Sequence, residues 1–389
     1  MTNAVRRLLI PVLALVTAFL LGGIAIVLTD FDHLKMIGTD PVSAIGGAIG
    51  TVFKSYGAML SGAFGDPARI LTALQSGTDR DIAKAIRPIT EGLLSATPLI
   101  FLTLGVAVAF HAGLFNLGSD GQFVVGSFGA VTAAAGLAGT LPPFVVLPAA
   151  LAAGALFGGF YGFIPGLLKA RTGAHEVITT LMLNTIAALL IMFIGQSGIL
   201  PRTRGAIPSV PLIFNLPTIR LDWGFIAALV TAVVVSFVVF RTTLGFELRA
   251  TGFSRTVART TGMAPGRATM LAMSISGGLA GLGGAFLSLG PAGGMSGAGA
   301  GLVPLALALI AGLRPSVIVV AAVLYGLMSN GAKTTVIATG VPLDLLVVII
   351  AFMMMFVAAP GIVRSIWRVP APEPAPESEG APPIVERPI

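Results

Sequence analysis

The stretch LLIPVLALVTAFLLGGIAIVL, residues 8–28, contains no charged side chain. A helix of about 20 residues, rising about 1.5 Å per residue, crosses the roughly 30 Å hydrocarbon core of a bilayer. Similar runs recur along the 389 residues, of which 55% are hydrophobic and 10% charged; soluble domains contain about 25% charged residues. A soluble core cannot bury that much apolar surface, so the sequence predicts a polytopic membrane protein.

Nine further apolar runs follow the first, and together they predict ten transmembrane helices. The further runs are about 92–110, 122–139, 144–168, 177–197, 224–240, 268–290, 303–313, 315–332 and 342–359. Two runs are weak, because 303–313 is short and 122–139 is rich in Gly and Ala. Nine or eleven crossings therefore stay open.

The basic residues predict the orientation. Arg6 and Arg7 precede the first run, and Asp30 and Asp32 follow it, which places the N-terminus in the cytoplasm by the positive-inside rule. Ten crossings return the C-terminus to the same side. The inner loops then carry most of the basic residues: Lys169, Arg171, Arg241, Arg249, Arg255, Arg259, Arg267, Arg314, Arg364 and Arg368. A cleaved signal peptide is the alternative for the first run, which is longer than the usual apolar region of about 7–15 residues.

The extramembrane parts are predicted from composition. Residues 29–91 form a long extracytoplasmic loop, in which the stretch 42–62 is predicted as an interfacial helix or packed loop. The alternative, an eleventh crossing, is weakened by Lys54 near its middle. Residues 369–389 are rich in Pro and Glu and are predicted to be a disordered cytoplasmic tail.

Several function classes are disfavoured by residues that the sequence lacks. It contains no Cys and three scattered His, so redox and metal sites are not expected. The Gly-rich stretch 297–301 lacks the Lys-Ser/Thr of a P-loop. The net charge of +7 is spread over short loops and comes with only two Trp, unlike a nucleic-acid surface. We expect no enzyme activity, no cofactor bound by this chain and no nucleic-acid partner.

Polar residues cluster between two apolar runs in GLFNLGSDGQFVVG, residues 113–126. Polar groups at membrane depth are costly and typically line a bundle interior or a water-filled path. Asn116, Ser119, Asp120 and Gln122 thus indicate a broken helix that lines a cavity. The alternative is a cytoplasmic turn in which Asp120 caps the next helix.

A second polar group lies in GAHEVITTLMLN, residues 173–184. Glu176 suits the first turn of a helix, and Thr179, Thr180 and Asn184 continue at helical spacing. They either form interhelical hydrogen bonds, worth about 0.6 to 2 kcal/mol, or line a substrate path. Downstream, small residues on neighbouring turns predict close helix packing: Gly277, Gly278, Gly281, Gly283 and Gly284.

The longest inner loop, residues 241–268, contains a predicted amphipathic helix. Apolar residues recur at helical spacing at Phe246, Ala250, Phe253 and Val257. This helix is either held to anionic lipid by its arginines, which include Arg255 and Arg259, or docks a cytoplasmic partner.

These segments together resemble the permease subunits of bacterial ABC importers for nucleosides and simple sugars, in the branched-chain amino-acid permease superfamily. GLFNLGSDGQ is similar to that family's GLFNIGAEGQ, EVITTLMLN to its EVISTLMLN, and FELRATGFSRTVARTTGM to its LRAxGxNxxAAxxxGI loop. The similarity runs from about residue 90 to 360. This chain departs from the family pattern at Asp120, His175 and Ser254.

The resemblance implies an all-α bundle of about ten transmembrane helices, with broken helices and an inverted-repeat core. The implied organisation is an N-terminal helix (1–28), the extracytoplasmic loop (29–91), a permease core (92–368) with a coupling loop (241–267), and the tail (369–389). The implied pathway residues are Phe115, Asn116, Asp120, Gln122, Thr179 and Asn184. The implied coupling residues are Phe246, Glu247, Arg249, Ala250, Gly252, Phe253, Ala258 and Gly262.

The resemblance also implies the partners and the substrate. We expect a second permease subunit, a cytoplasmic ABC ATPase that holds the ATP and Mg²⁺, and an extracytoplasmic solute-binding lipoprotein, assembled in the bacterial cytoplasmic membrane. ATP hydrolysis would act through a helix at 246–263. The expected function is uptake of nucleosides or related sugars; the alternatives are branched-chain amino acids or other sugars, or an ion-coupled secondary transporter. A membrane enzyme and a passive channel are disfavoured, since no acid/base cluster is seen and a pore needs no docking helix.

Overall fold

The computed structural model describes residues 3–36, 38–197, 206–214, 219–291 and 302–369. Within these ranges the chain folds into helices with no β-strand, which confirms the all-α class. The helices are α1 (Asn3–Thr29), α2 (Phe31–Met36), α3 (Pro41–Phe64), α4 (Pro67–Ser76), α5 (Asp79–His111), α6 (Ser119–Leu137), α7 (Pro143–Thr172), α8 (Glu176–Gln196), α9 (Trp223–Arg241), α10 (Thr243–Phe253), α11 (Arg255–Thr260), α12 (Pro265–Leu289), α13 (Val303–Ile310), α14 (Pro315–Thr339), α15 (Leu343–Ala358) and α16 (Pro360–Trp367).

Seven of these helices are long and apolar enough to cross a membrane, namely α1, α5, α7, α8, α9, α12 and α14. An eighth span results if α15 and α16, bent by 92° at the break between them, count as one. The two weak runs of the sequence are helices that fall short. α13 has 8 residues, which rise only about 12 Å, and α6 begins with the polar residues SDGQ.

The segment 29–91 is helical rather than a loop. It contains α2, α3, α4 and the first turns of α5, which begins at Asp79 and not near residue 92. Thr78 caps α5 by accepting a hydrogen bond from the backbone N–H of Asp81. α3 is one continuous helix packed on α14, where a Cβ on Gly62 would lie 3.0 Å from Gly331 Cα. It is not among the candidate spans, so the eleventh crossing gains no support.

The core is built on α12 and α5. α12 packs most extensively on α7 and α6, and α5 packs on α14 and on α12. The predicted glycines permit the α7–α12 contact: a Cβ on Gly158 would lie 2.7 Å from Gly281 Cα, and one on Gly162 would lie 3.0 Å from Gly277 Cα. The pairs α12–α7 and α5–α14 flank a central α5–α12 contact, and the inverted-repeat core stays a prediction.

α8 lies at the edge of this bundle. In the described part of the chain it packs mainly on α6 and α7, through one stripe of buried residues, Glu176, Thr180, Ala187 and Ile191. Most of its other side chains are exposed in the single chain, among them Met182, Ile186 and Phe193. α8 is therefore the most loosely packed of the long helices.

Candidate functional site

A break of seven residues, 112–118, separates α5 from α6. α5 ends in a turn in which Gly113 takes a positive φ of 69° and the N–H of Leu114 donates to the carbonyl of Ala109. Only glycine adopts that φ without strain. The predicted broken helix is present. The predicted alternative role of Asp120 as helix cap is wrong, because Gly118 occupies the N-cap and Asp120 lies in the first turn.

Asn116 is fully buried in this break, and every polar atom of its side chain has a partner. Its Nδ2 donates to Gln122 Oε1 at 2.8 Å and to Ser276 Oγ of α12 at 2.7 Å. Its Oδ1 accepts from the N–H of Gly118 at 3.0 Å and from Gln122 Nε2 at 3.2 Å. We call Asn116, Gln122 and Ser276 the amide knot. A satisfied buried network of this kind fixes one local arrangement.

The other predicted residue of the break, Phe115, points outward. Its side chain is 47% exposed and its ring packs edge-on to Phe110 at 4.8 Å. The structure therefore brings Asn116 and Gln122 together inside the fold and leaves Phe115 on the surface. The pathway role of all these residues stays a prediction.

Asn184 of α8 reaches the same break from the other side. Its Nδ2 donates to the carbonyl of Leu117 at 2.8 Å, and its Oδ1 accepts from the N–H of Gly121 at 2.9 Å. The backbones are close here, since a Cβ on Gly121 would lie 3.0 Å from Asn184 Cα. Asn184 thus ties α8 to the end of the break, at Leu117, and to the first turn of α6, at Gly121.

The threonines of α8 bond within their own helix. Thr180 Oγ1 donates to the carbonyl of Glu176 at 2.7 Å, and Thr179 Oγ1 donates to the same carbonyl at 3.0 Å. The Glu176 carboxylate meets Lys169 Nζ, in the last turn of α7, at 2.7 Å. Both side chains of this ion pair are largely buried, which fixes the start of α8 against α7.

The coupling segment forms two helices, α10 and α11, and the predicted single helix over 246–263 is wrong. Ser254 interrupts it with extended backbone and caps α11 by accepting from the N–H of Val257. Such Ser side chains favour helix starts over helix interiors. Gly262, with a φ of 82°, follows the end of α11.

The predicted coupling residues divide into two groups. Phe246, Glu247 and Phe253 are exposed, Phe253 to 93%. Together with the exposed Val257, which was predicted as part of the amphipathic helix, they form what we call the docking face. Other members face the bundle. Ala258 is buried, Ala250 is half-buried, and the Arg249 guanidinium lies over the Phe240 ring at 5.5 Å.

Gly252 is the direct contact between α10 and the break. A Cβ on Gly252 would lie 2.8 Å from the backbone N of Gly113 and 2.9 Å from the backbone C of Ala112. Real Cβ atoms essentially never come that near to backbone, so only glycine fits at this point. At Gly252, α10 therefore touches the end of α5 and the break backbone to backbone.

Sequence reasoning missed three contributors to this site. Ser276 accepts a hydrogen bond from Asn116. Tyr161 donates a hydrogen bond at 2.7 Å to the carbonyl of Leu183. Lys169 forms the ion pair with Glu176. Ser276 lies 160 residues from Asn116 and Tyr161 lies 22 residues from Leu183, so no local spacing indicates these two pairings. Among the described residues, no group of three or more His, Asp and Glu side chains is placed to hold a metal ion.

Comparison with known proteins adds the family. Residues 89–358 match the family described as branched-chain amino acid transport system / permease component. The chain is 32% identical to the guanosine ABC transporter permease protein NupP of Bacillus subtilis, over 94% of this chain and 97% of that protein. It is 30% identical to the nucleoside ABC transporter permease protein NupB of Lactococcus lactis, over 94% of each chain. The glucose ABC transporter permease protein TsgB13 of Haloferax volcanii is 27% identical over 89% of this chain and 86% of that protein. No solved structure matches the chain.

Proposed function

The chain belongs to the family of branched-chain amino acid transport system permease components, and on that premise we propose that it forms the membrane path of an ABC importer that takes up nucleosides. The observation that carries the substrate class is the similarity, over 94% of the chain, to two permeases named for guanosine and nucleosides. The similarity to the glucose permease covers nearly as much of the chain at lower identity, so simple sugars are the second candidate.

The proposed partners are a second permease, an ABC ATPase and a solute-binding lipoprotein. Two different nucleoside permease proteins of Lactococcus lactis, NupB and NupC, are similar to this chain, the second over 51% of it. That pair supports a heterodimer of permeases.

The docking face is the proposed contact with the ATPase. An exposed Phe253 beside Phe246 and Val257 gives an apolar surface, and Arg255 and Arg259 lie next to it. Aromatic and arginine side chains typically dominate binding at protein interfaces. The segment that carries this face is rich in basic residues, among them Arg249, Arg255 and Arg259, which favour a cytoplasmic position by the positive-inside rule, on the same side of the membrane as ATP.

The proposed mechanism is alternating access driven from α10. Nucleotide binding in the ATPase shifts α10, and Gly252 transmits the shift to the α5–α6 break through backbone contact. Packed backbones move together because the contact has no flexible side chain to absorb a displacement. The amide knot then links the break to α12, at the centre of the bundle.

The test is the ATPase activity of the assembled transporter in proteoliposomes. The expected result is stimulation by binding protein loaded with nucleoside, and little stimulation by binding protein offered ribose, glucose or a branched-chain amino acid. Stimulation by glucose but not by nucleoside would assign the sugar class instead. Transport driven by an ion gradient without ATP would exclude the importer.

A further inference from the structure

We propose that Asn184 is a positioning residue that makes α8 move together with the α5–α6 break, and that it does not contact the substrate. This proposal rests on the proposed function, because it concerns how a movement of α10 reaches a helix at the edge of the path. It assigns a mechanical role to a residue whose sequence motif indicates only a polar position inside the membrane.

The first step runs from α10 to the break. Gly252 lies against the carbonyl of His111 and the backbone of Ala112 and Gly113, where α5 ends. Leu248 and Thr251 of α10 are each 1% exposed, so α10 is anchored on the bundle by its inner face while its docking face stays open. A displacement of α10 therefore acts on residues 111–113.

The second step runs from the break to α8. The break is short. Its end and the first turn of α6 hold Asn184, through the carbonyl of Leu117 and the N–H of Gly121. Thr180 lies on the same side, where a Cβ on Gly118 would come 3.0 Å from Thr180 Cβ. The end of the break and the first turn of α6 therefore hold α8 in its first half, at Thr180 and Asn184.

The outer half of α8 has no comparable attachment. The polar ties between α8 and other elements involve Glu176, Leu183 and Asn184. Within the described chain, residues 185–196 form no side-chain hydrogen bond or ion pair to another helix. Asn184 is thus the last polar tie along the helix, and beyond it α8 is held to the bundle only by apolar packing, through the buried Ala187 and Ile191.

The chemistry of asparagine fits this role. The tie needs a donor toward Leu117 O and an acceptor toward Gly121 N–H on one short side chain, and both are supplied by one amide. A leucine has similar size and neither group. An aspartate keeps the acceptor and loses the donor.

The test compares Asn184→Leu and Asn184→Asp with the matched control Thr185→Val, a change at the next, exposed residue, which has no hydrogen-bond partner among the described residues. Each transporter is purified with its partner subunits and reconstituted. We expect nucleoside transported per ATP hydrolysed to fall by roughly 2- to 30-fold in Asn184→Leu, and less in Asn184→Asp. The half-saturating concentration of loaded binding protein stays unchanged, as does transport by Thr185→Val.

A distance measurement separates this role from simple support of the fold. The chain has no cysteine, so two spin labels can be attached to it at Gln196→Cys and Thr140→Cys. The partner subunits in this experiment have their cysteines removed. When Asn184 is present, we expect trapping of the ATPase with nucleotide to change the distance between the two labels, which lies across the outer end of α8. We expect the change to be lost in Asn184→Leu although the ATPase still responds.

Three outcomes decide the matter. An unchanged transport ratio and an unchanged distance response in Asn184→Leu would overturn the proposal. A raised half-saturating concentration with a normal ratio would make Asn184 a substrate contact and overturn it as well. Failure of the wild-type transporter to move nucleosides would instead contradict the proposed function, which the wild-type arm shows separately.

Discussion

Gly252 of α10 and Gly113 at the end of α5 lie backbone to backbone, so that a Cβ on Gly252 would come 2.8 Å from the Gly113 nitrogen and one on Gly113 would come 3.1 Å from Gly252 Cα. This contact joins α10, which carries the docking face, to the α5–α6 break and its buried polar network. In the proposed coupling, a movement of α10 reaches the break through this contact.

Gly252→Ala is expected to uncouple transport from ATP hydrolysis. The added methyl group cannot fit beside the backbone of residues 111–113, so α10 must shift away from the break. We expect reduced nucleoside uptake with stimulated ATPase activity retained, measured together in proteoliposomes. Gly266→Ala is the control, since the nearest atom to its Cβ would be Ala170 Cβ at 3.7 Å. Equal coupling in the two variants would contradict the role of Gly252.

Asn116→Leu is expected to destabilise the protein and impair transport. The change leaves Gln122 and Ser276 buried without their partner, at about 1–3 kcal/mol for each unsatisfied group. The measurement is the thermal unfolding midpoint in detergent together with uptake. Phe115→Leu, at the exposed neighbour, should change the midpoint little. A normal midpoint with normal uptake would remove Asn116 from both the knot and the path.

Lys169→Met is expected to destabilise the start of α8 by about 1 to 3 kcal/mol, because it leaves the largely buried Glu176 carboxylate without its partner. The double variant Lys169→Met/Glu176→Gln should recover much of that loss, since no charge is then left unpaired. Arg171→Met, at an exposed basic residue two positions on, is the matched control. If the single and double variants unfold alike, the pair contributes no coupling energy.

Asp222 is expected to make stability depend on pH. It is buried just before α9 and lines a small cavity with Thr97, Pro98 and Phe286. Burial raises the pKa of its carboxyl to about 6, although the hydrogen bond from the N–H of Gly224 opposes the shift. The folded protein therefore binds this proton more tightly than the unfolded chain does, and stability falls as the pH rises from about 4 to about 6.

The measurement for Asp222 is the unfolding midpoint as a function of pH. Asp222→Asn keeps the acceptor for Gly224 and removes the titration, so the difference between variant and wild type should grow over that window and stay level above it. A difference that is constant from acid to neutral pH would show that Asp222 does not titrate there.

Hydropathy predicts the membrane helices well where a helix ends at the bilayer surface. α9 is predicted at 224–240 and runs from Trp223 to Arg241, because a charged residue marks each end. The start of α5 is missed because residues 79–91 are polar and extend the helix beyond the apolar run. Hydropathy reports burial in lipid, and a helix that continues past the lipid has no such signal.

The site was only partly predictable for a similar reason. The break at 112–118 follows from Gly113 and Gly118 within a polar segment, and local spacing is enough to find it. The contacts that give the break its role, Asn116 to Ser276 and Asn184 to Leu117, join residues far apart in sequence. The interruption at Ser254 has a local signal, a serine in an N-cap position, which the apolar periodicity of the loop concealed.

The central claim is that this chain is a path driven by partner subunits and has no driving force of its own. The most direct measurement is accumulation of radiolabelled guanosine in proteoliposomes that contain either this chain alone or the full complex with ATP inside and loaded binding protein outside. We predict accumulation by the full complex that requires ATP, and none by the chain alone under a proton or sodium gradient. Gradient-driven accumulation by the chain alone would contradict the account.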